Sequence, residues 1–417
     1  MRTRDLDRRR FLTGGLAALG GATLLGASAH GRGRARASPL LGRPGDEIDD
    51  GGPPRTLVLL QLAGGNDGLN TIVPYGDDVY WRERPLIAVP REEVLPIDDY
   101  RGFHPALASL AAHHDEGRVA VIEGVGYPQP NRSHFKSFEI WHTARAAGRD
   151  SGDGWIGRLA AQLFAGAPHP NHVVHVGGQV PWSLHSAEHP PAGFAAPAGY
   201  RWADIEDDVE RLAEAAPPAD PRRRLDWLRA VRADALRSSD DIRAAVAAYR
   251  PRAEYPGNEP LAAALRTVAA LVDGGIGTRV FSVELSGFDT HNNQEARQRN
   301  LLRDLGDALG AFLDDLAGTP AGDRTLVLAF SEFGRRVHEN GSRGTDHGTA
   351  GPMFAAGTPV KGGLYGAHPS LEELIDTGDL AFTTDFRSVY ATAIERWFGA
   401  DSEPVLGGRF EPLPFLA

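Results

Sequence analysis

Apolar runs of strand length recur along the chain, and most of them end in a polar, glycine-rich loop. TLVLLQLAGG (Thr56–Gly65) and TLVLAF (ending at Phe330) are uninterrupted, the pattern of strands buried on both faces of a parallel sheet. RVAVIEGV (Arg118–Val125), HVVHVGG (His172–Gly178) and the segment TRVFSVELSGFDTHNNQ (Thr278–Gln294) read as strands too, and GPMFAAGTPVKGG predicts another strand and turn. Helical periodicity predicts helices over His104–Glu116, Gly154–Leu163 and Gln294–Leu316, one beyond His368, and a last one from Asp385 to Trp397. Ala- and Arg-rich amphipathic segments from about Asp204 to Tyr249, broken near Pro217 and Pro218, predict a helical insertion around 200–250. The recurrent order of strand, loop and helix predicts an α/β fold, a doubly wound and mostly parallel sheet flanked by helices. Residues 55–417 are expected to form one domain behind a Gly/Pro/Asp-rich linker at 38–54.

The amino terminus follows a different pattern. Arg8, Arg9, Arg10, Phe11 and Leu12 precede a Gly- and Ala-rich apolar run to Ala29, with small-residue cleavage options at Ala27-Ser28-Ala29 and Ala35-Arg36-Ala37. Residues 1–37 therefore predict a twin-arginine export signal and a periplasmic or secreted mature protein. The run is short and weakly hydrophobic for a membrane anchor, so no stable span is expected after cleavage. Residues 1–37 hold eight arginines against two aspartates, so the rest of the chain carries about −17 where the whole carries −11. That balance argues against a nucleic-acid partner. The chain has no cysteine, so packing or a bound metal has to supply what disulfides give many exported proteins. Only two lysines occur, Lys136 and Lys361, and nothing in the sequence fixes the oligomeric state.

The loops after the predicted strands carry the candidate chemistry. In an open α/β sheet, ligands bind at the carboxyl ends of the strands. The first strand ends in Gly64-Gly65-Asn66-Asp67, which can hold a carboxylate where a cation would sit or form an Asn-Asp-Gly turn only. After the Arg118–Val125 strand, Pro128 and Pro130 enforce an extended entry and Ser133 falls near a helix start. Backbone N–H groups there stabilise an alkoxide or a bound anion, although a serine at that point can also simply cap the helix. Arg132, His134 and Lys136 crowd around it, the next strand delivers Asp289 and His291, and the stretch Phe330–Pro352 adds Glu332, Arg335, Arg336, His338, Asn340, Asp346 and His347. Carboxylates and imidazoles without thiols suit a divalent cation, Zn²⁺ or Mn²⁺, or Mg²⁺ or Ca²⁺ with more oxygen ligands. Two such cations would activate a serine or a water at a phosphoryl- or sulfuryl-like centre, and Arg132, Lys136, Arg335 and Arg336 would contact the anion.

The motifs LAGGNDGLNTIVPY, GVGYPQPNRSHFKSFEIWHT, GFDTHNNQ, SEFGRRVHENGSRGTDHG, VKGGLYG and TTDFRSVY resemble the DUF1501 proteins over about residues 55–415. That family is similar, more weakly, to the alkaline phosphatase and sulfatase superfamily. The resemblance implies an alkaline-phosphatase-like core. It also implies Asp67 as the first-strand metal carboxylate, Ser133 as nucleophile, Asp289 and His291 as the pair of one metal site, Glu332 as the strand-end acid and His347 as the final metal histidine. The chain departs from the superfamily at Phe333, where a histidine is usual, in Glu332 for aspartate, and in the short spacing of Asp289 and His291. The standard sulfatase signature is absent.

The resulting expectation is an exported metal-dependent hydrolase-like protein acting on a small anionic phosphate or sulfate ester, free or polysaccharide-linked. Ser133, Arg132, Lys136 and Arg335 would form its catalytic group, and Asp67, Asp289, His291, Glu332, Asp346 and His347 would hold the metal. The alternative is a non-catalytic exported binding or assembly protein that keeps the fold and one cation. A third reading, carbohydrate binding, would need a groove lined by Trp81, Trp141, Trp155 or Trp182.

Overall fold

The computed structural model describes residues 54–146, 152–164, 169, 171–200, 236–257, 259–376 and 378–417. The expected export signal, the linker up to residue 53 and residues 201–235 of the expected insertion lie outside the described residues.

The apolar runs form one nine-stranded sheet. Its strands are β1 (Thr56–Ala63), β2 (Val119–Gly126), β3 (Val173–Val176), β4 (Ala192–Phe194), β5 (Val280–Ser286), β6 (Thr325–Phe330), β7 (Gly351–Ala356), β8 (Gly363–Tyr365) and β9 (Thr384–Asp385). They lie in the order β8-β2-β7-β6-β1-β5-β3-β4, with β9 also beside β2. β1 pairs in parallel with both β5 and β6, as its continuous apolar run predicts. Only β7 is antiparallel to its neighbours, β2 and β6, so the sheet is mixed and mostly parallel. Reversal of β7 brings its amino end to the edge where β1, β2, β5 and β6 end, and the loop before it, which carries Asp346 and His347, arrives there too.

Alternate residues of β1 feed two cores. Val58, Leu60 and Leu62 face α6 (Pro260–Asp273) and α7 (Gln294–Leu316), labels that follow α1 (Asp78–Glu83), α2 (Ala108–Asp115), α3 (His134–Thr143), α4 (Trp155–Leu163) and α5 (236–248). Leu57 and Leu59 face the opposite layer, built on α3, α4 and the carboxyl-terminal helices. Trp141 and Trp155 are buried in that layer.

The helix expected beyond His368 is absent. That segment is a hairpin pairing Leu374–Ile375 with Asp379–Leu380. Asp376 (φ 48°) and Gly378 (φ 111°) make its turn, a conformation a helix does not allow. Among the described residues no helix is long and apolar enough to cross a membrane.

Candidate metal centre

Two pieces of local backbone chemistry shape the sheet edge. Gly64 has φ 119°, and a Cβ there would lie 2.5 Å from the Asp289 nitrogen. The glycine thus lets the loop after β1 pack under the loop after β5. Ser133 takes the N-cap position of α3, with φ −85° and ψ 123°, but its hydroxyl makes no capping bond. Its own N–H donates instead to Asn131 Oδ1 at 2.9 Å, and the side chain is exposed.

His134 opens α3, and its Nδ1 lies 2.7 Å from Glu332 Oε1. A carboxylate only accepts, so Nδ1 carries the proton. Glu332 is fully buried and takes a second hydrogen bond from Gly64 N–H at 2.9 Å. His134 Nε2 is buried without a partner and faces Asp289 Oδ2 at 3.8 Å. His347 repeats the arrangement with its Nδ1 2.8 Å from the Arg132 carbonyl oxygen, which again leaves the lone pair on Nε2. His291 has Nδ1 at 3.4 Å from Asp346 Oδ1. The Nε2 atoms of His291 and His347 are 3.0 Å apart and lie 3.0 and 3.1 Å from Asp289 Oδ1. Ligand atoms of His134, Asp289 and His347 all fall within 4.8 Å of one another, the spacing a metal ion would need. The donors present therefore fit a divalent cation with nitrogen and oxygen ligands.

Electrostatics reinforce this arrangement. The hydrogen bond to Glu332 raises the His134 pKa against the opposing effect of burial. Burial lowers that of His347, outweighing the opposing pull of the Asp289 carboxylate and the Arg132 carbonyl. At Asp289 burial pushes upward, but the hydrogen bond from Arg335 and the neighbouring charges hold the carboxyl at about 2. The carboxylate is thus ionised at any ordinary pH.

The other residues named from the sequence divide clearly. Glu332 and Asp346 touch imidazoles at the centre. Asp67 is held elsewhere, its Oδ2 accepting from Arg84 Nη1 at 2.6 Å. Arg335 is buried, with its guanidinium donating to the carbonyls of Gly64, Gly65, Phe288 and Thr345 and to Asp289 Oδ1 at 2.7 Å. Arg132 donates to Asp379 and Asp376, each at 2.6 Å, and Lys136 turns to Glu139 at 2.9 Å on the exposed face of α3. Arg336 faces Asp379 at 3.5 Å and Asp346 at 3.8 Å.

The sequence shows His134 only as a neighbour of Ser133, whereas the structure places it in the His–Asp cluster. Its position as the first residue of a helix entering this edge was the available signal. Phe333 packs its ring 4.8 Å from both His134 and His347 and forms a wall of the centre. Arg84 belongs to no strand-end motif and gave no signal, while Gln294 closes the GFDTHNNQ motif but reads there only as the start of a helix.

Among solved structures, the chain is similar to a protein in the alkaline phosphatase superfamily from Vibrio parahaemolyticus (11% identity, TM-score 0.42, covering 86% of this chain and 69% of that one). It is also similar to the lipoteichoic acid synthase LtaP from Listeria monocytogenes (8%, 0.40, 85% and 74%). A third is the carboxyl-terminal periplasmic domain of EcEptC from Escherichia coli (9%, 0.37, 75% and 75%). Likenesses this low assign neither substrate nor residue roles, which rest on the geometry above. No curated protein matches. The family model "Protein of unknown function (DUF1501)" covers residues 99–408, well over half of the sequence, and the chain belongs to that family.

Proposed function

We propose that this is an exported, metal-dependent hydrolase-like protein acting on a phosphate or sulfate ester, with the cation held by Asp289, His134, His291 and His347. The observation that carries the reading is the anchoring of three imidazoles. Each has Nδ1 against an acceptor, namely Glu332, the Arg132 carbonyl or Asp346, so in their neutral forms three Nε2 lone pairs face the Asp289 carboxylate. Lone pairs converging on an anion repel unless a cation sits among them, and carboxylate-anchored histidines are the usual outer support of a metal ligand set. Glu332 and Asp346 then orient ligands rather than bind the ion themselves.

A divalent cation bound there would polarise an ester oxygen and neutralise developing charge. Ser133 is the candidate nucleophile. It sits in the chain between Arg132, whose carbonyl holds His347, and His134 itself, and its hydroxyl is exposed and free of capping duty. The adjacent N–H groups of α3 would favour an anion beside it. Export by the twin-arginine route, on the strength of Arg8–Leu12, belongs to the same proposal.

One observation favours a second reading, non-catalytic binding around a single cation. Arg132, Lys136, Arg335 and Arg336, the expected anion contacts, are all engaged with carboxylates. The test is elemental analysis of the purified protein, followed by assays on nitrophenyl phosphate and sulfate. Stoichiometric metal lost in Asp289→Ala and His347→Ala, with turnover lost in Ser133→Ala, supports the hydrolase. Metal without turnover leaves the binding protein. No metal under any loading condition removes both readings.

A further inference from the structure

Asp67 occupies a strand-end position suited to a metal carboxylate, and its surroundings do not fit one. Its Oδ2 accepts from Arg84 Nη1 at 2.6 Å and from Gln294 Nε2. Gln298 Nε2 donates to the Asp67 carbonyl at 2.9 Å. Arg84 is itself completely buried, and its remaining contacts run to Asn70 Oδ1 at 2.7 Å, the Val337 carbonyl at 2.8 Å and the Arg336 carbonyl at 2.9 Å. Asp67 Oδ1 is buried and has no partner, yet among the described residues no further His, Asp or Glu joins it in a ligand group. One bare oxygen with no imidazole or second acid to join it offers too few ligands for a second cation, and that shortage of ligands separates it from Asp289, which also accepts from a buried arginine.

We propose that Arg84 is a built-in, non-exchangeable cation that replaces a second metal ion at Asp67, so that the protein has one metal position. This rests on the proposed metal centre only for the count of one. The guanidinium also acts as a positioning residue. It joins the loop after β1, through Asp67 and Asn70, to the carbonyls of Arg336 and Val337 in the loop that carries Glu332 and His347. Glu339 ties the latter loop to the segment following Arg84 by accepting the Leu86 and Ile87 N–H groups at 2.9 and 3.0 Å. A metal there would be lost to chelators, whereas an arginine keeps its charge and its five-donor fork permanently.

Two measurements on the full chain test this. The first is metal content and zinc affinity of the wild type, Asp67→Asn and Arg84→Lys. We expect no more than one equivalent, and zinc affinity in Asp67→Asn within about threefold of wild type. Two equivalents in the wild type with one lost in Asp67→Asn would overturn the proposal. The second is a double-mutant cycle of Asp67→Asn and Arg84→Met, read as urea midpoints in excess EDTA. Each single variant should shift the midpoint down, the double variant should fall no lower than the worse single, and Arg84→Lys should recover part of the loss. Additive shifts, or an Asp67→Asn penalty that vanishes in EDTA, would also overturn it. Because the cycle is run without metal, it decides the Arg84 assignment even if the histidine centre binds no ion and the function above fails.

Discussion

The same sheet edge carries two aspartates in opposite circumstances. Asp67 is closed in with a fully buried arginine and two glutamines; Asp289 is largely exposed, ringed by imidazoles whose Nε2 atoms point at it. Both carboxylates accept from a buried arginine, Arg84 at Asp67 and Arg335 at Asp289, but only Asp289 also has imidazole nitrogens gathered around it. The contrast separates a carboxylate enclosed by the fold from one that meets solvent and imidazoles, although both follow a strand and both sit in glycine-rich loops.

The largest effect should come from breaking the closed pair on one side only. Asp67→Ala or Arg84→Ala leaves an uncompensated buried charge, and a loss of about 3–5 kcal/mol in unfolding free energy is expected. Urea unfolding with and without EDTA should give the same loss, since no metal takes part. At the open centre the expected behaviour is reversed. Zinc at about a hundred times its dissociation constant should stabilise the wild type by about 2.7 kcal/mol. His347→Ala should abolish that gain while shifting the metal-free protein far less. A large metal-free loss in His347→Ala would show that the open centre is structural and would erase the contrast.

Glu332→Gln probes the link between the regions more finely. Glutamine can still accept the Gly64 N–H, but it removes the carboxylate that fixes the His134 tautomer. Loss of such an outer partner typically costs about 10–100-fold in metal affinity. Competition with a zinc indicator would measure it, and unchanged affinity would remove His134 from the ligand set.

Much of this was legible in the sequence. Thr56–Ala63 and Thr325–Phe330 announce buried strands because parallel strands covered on both faces have no polar alternation to confuse them. That Asp289, His291, Glu332 and His347 would meet at one edge was legible because strand ends were. The direction of β7 was not, since six apolar residues carry no sign of which way they run. Nor was the commitment of Arg335, whose partners are four backbone carbonyls and one acid from other parts of the chain. Arg84 illustrates the same limit: it follows a six-residue helix with no distinguishing local pattern, and only the closure of three separate segments gives it a role.

The smallest effect at neutral pH, and the one with a definite sign, concerns the histidine pair of α3. His134 and His142 lie two turns apart on one face with Phe138 between them, ring centroids 6.4 Å from His134 and 5.5 Å from His142. His134 meets a carboxylate and is shifted upward; His142 is enclosed, donates from Nε2 to Gln61 Oε1 at 2.7 Å, and burial pushes it down to about 4. An unfolded chain takes up that proton near pH 6.5, before the folded protein can. Stability from His142 is therefore complete above about pH 6.5 and declines as pH falls toward about 4, by roughly 0.8 kcal/mol at pH 6. His142→Gln, which can still donate to Gln61, should remove about one proton from the pH slope of unfolding in EDTA between pH 6.5 and 4.5. Histidines 104, 172, 175 and 368, each also held at about 4 by burial, would keep the remainder. An unchanged slope would mean that His142 titrates like a solvent histidine, and that the face of α3 leading away from the metal centre is wetter than its packing indicates.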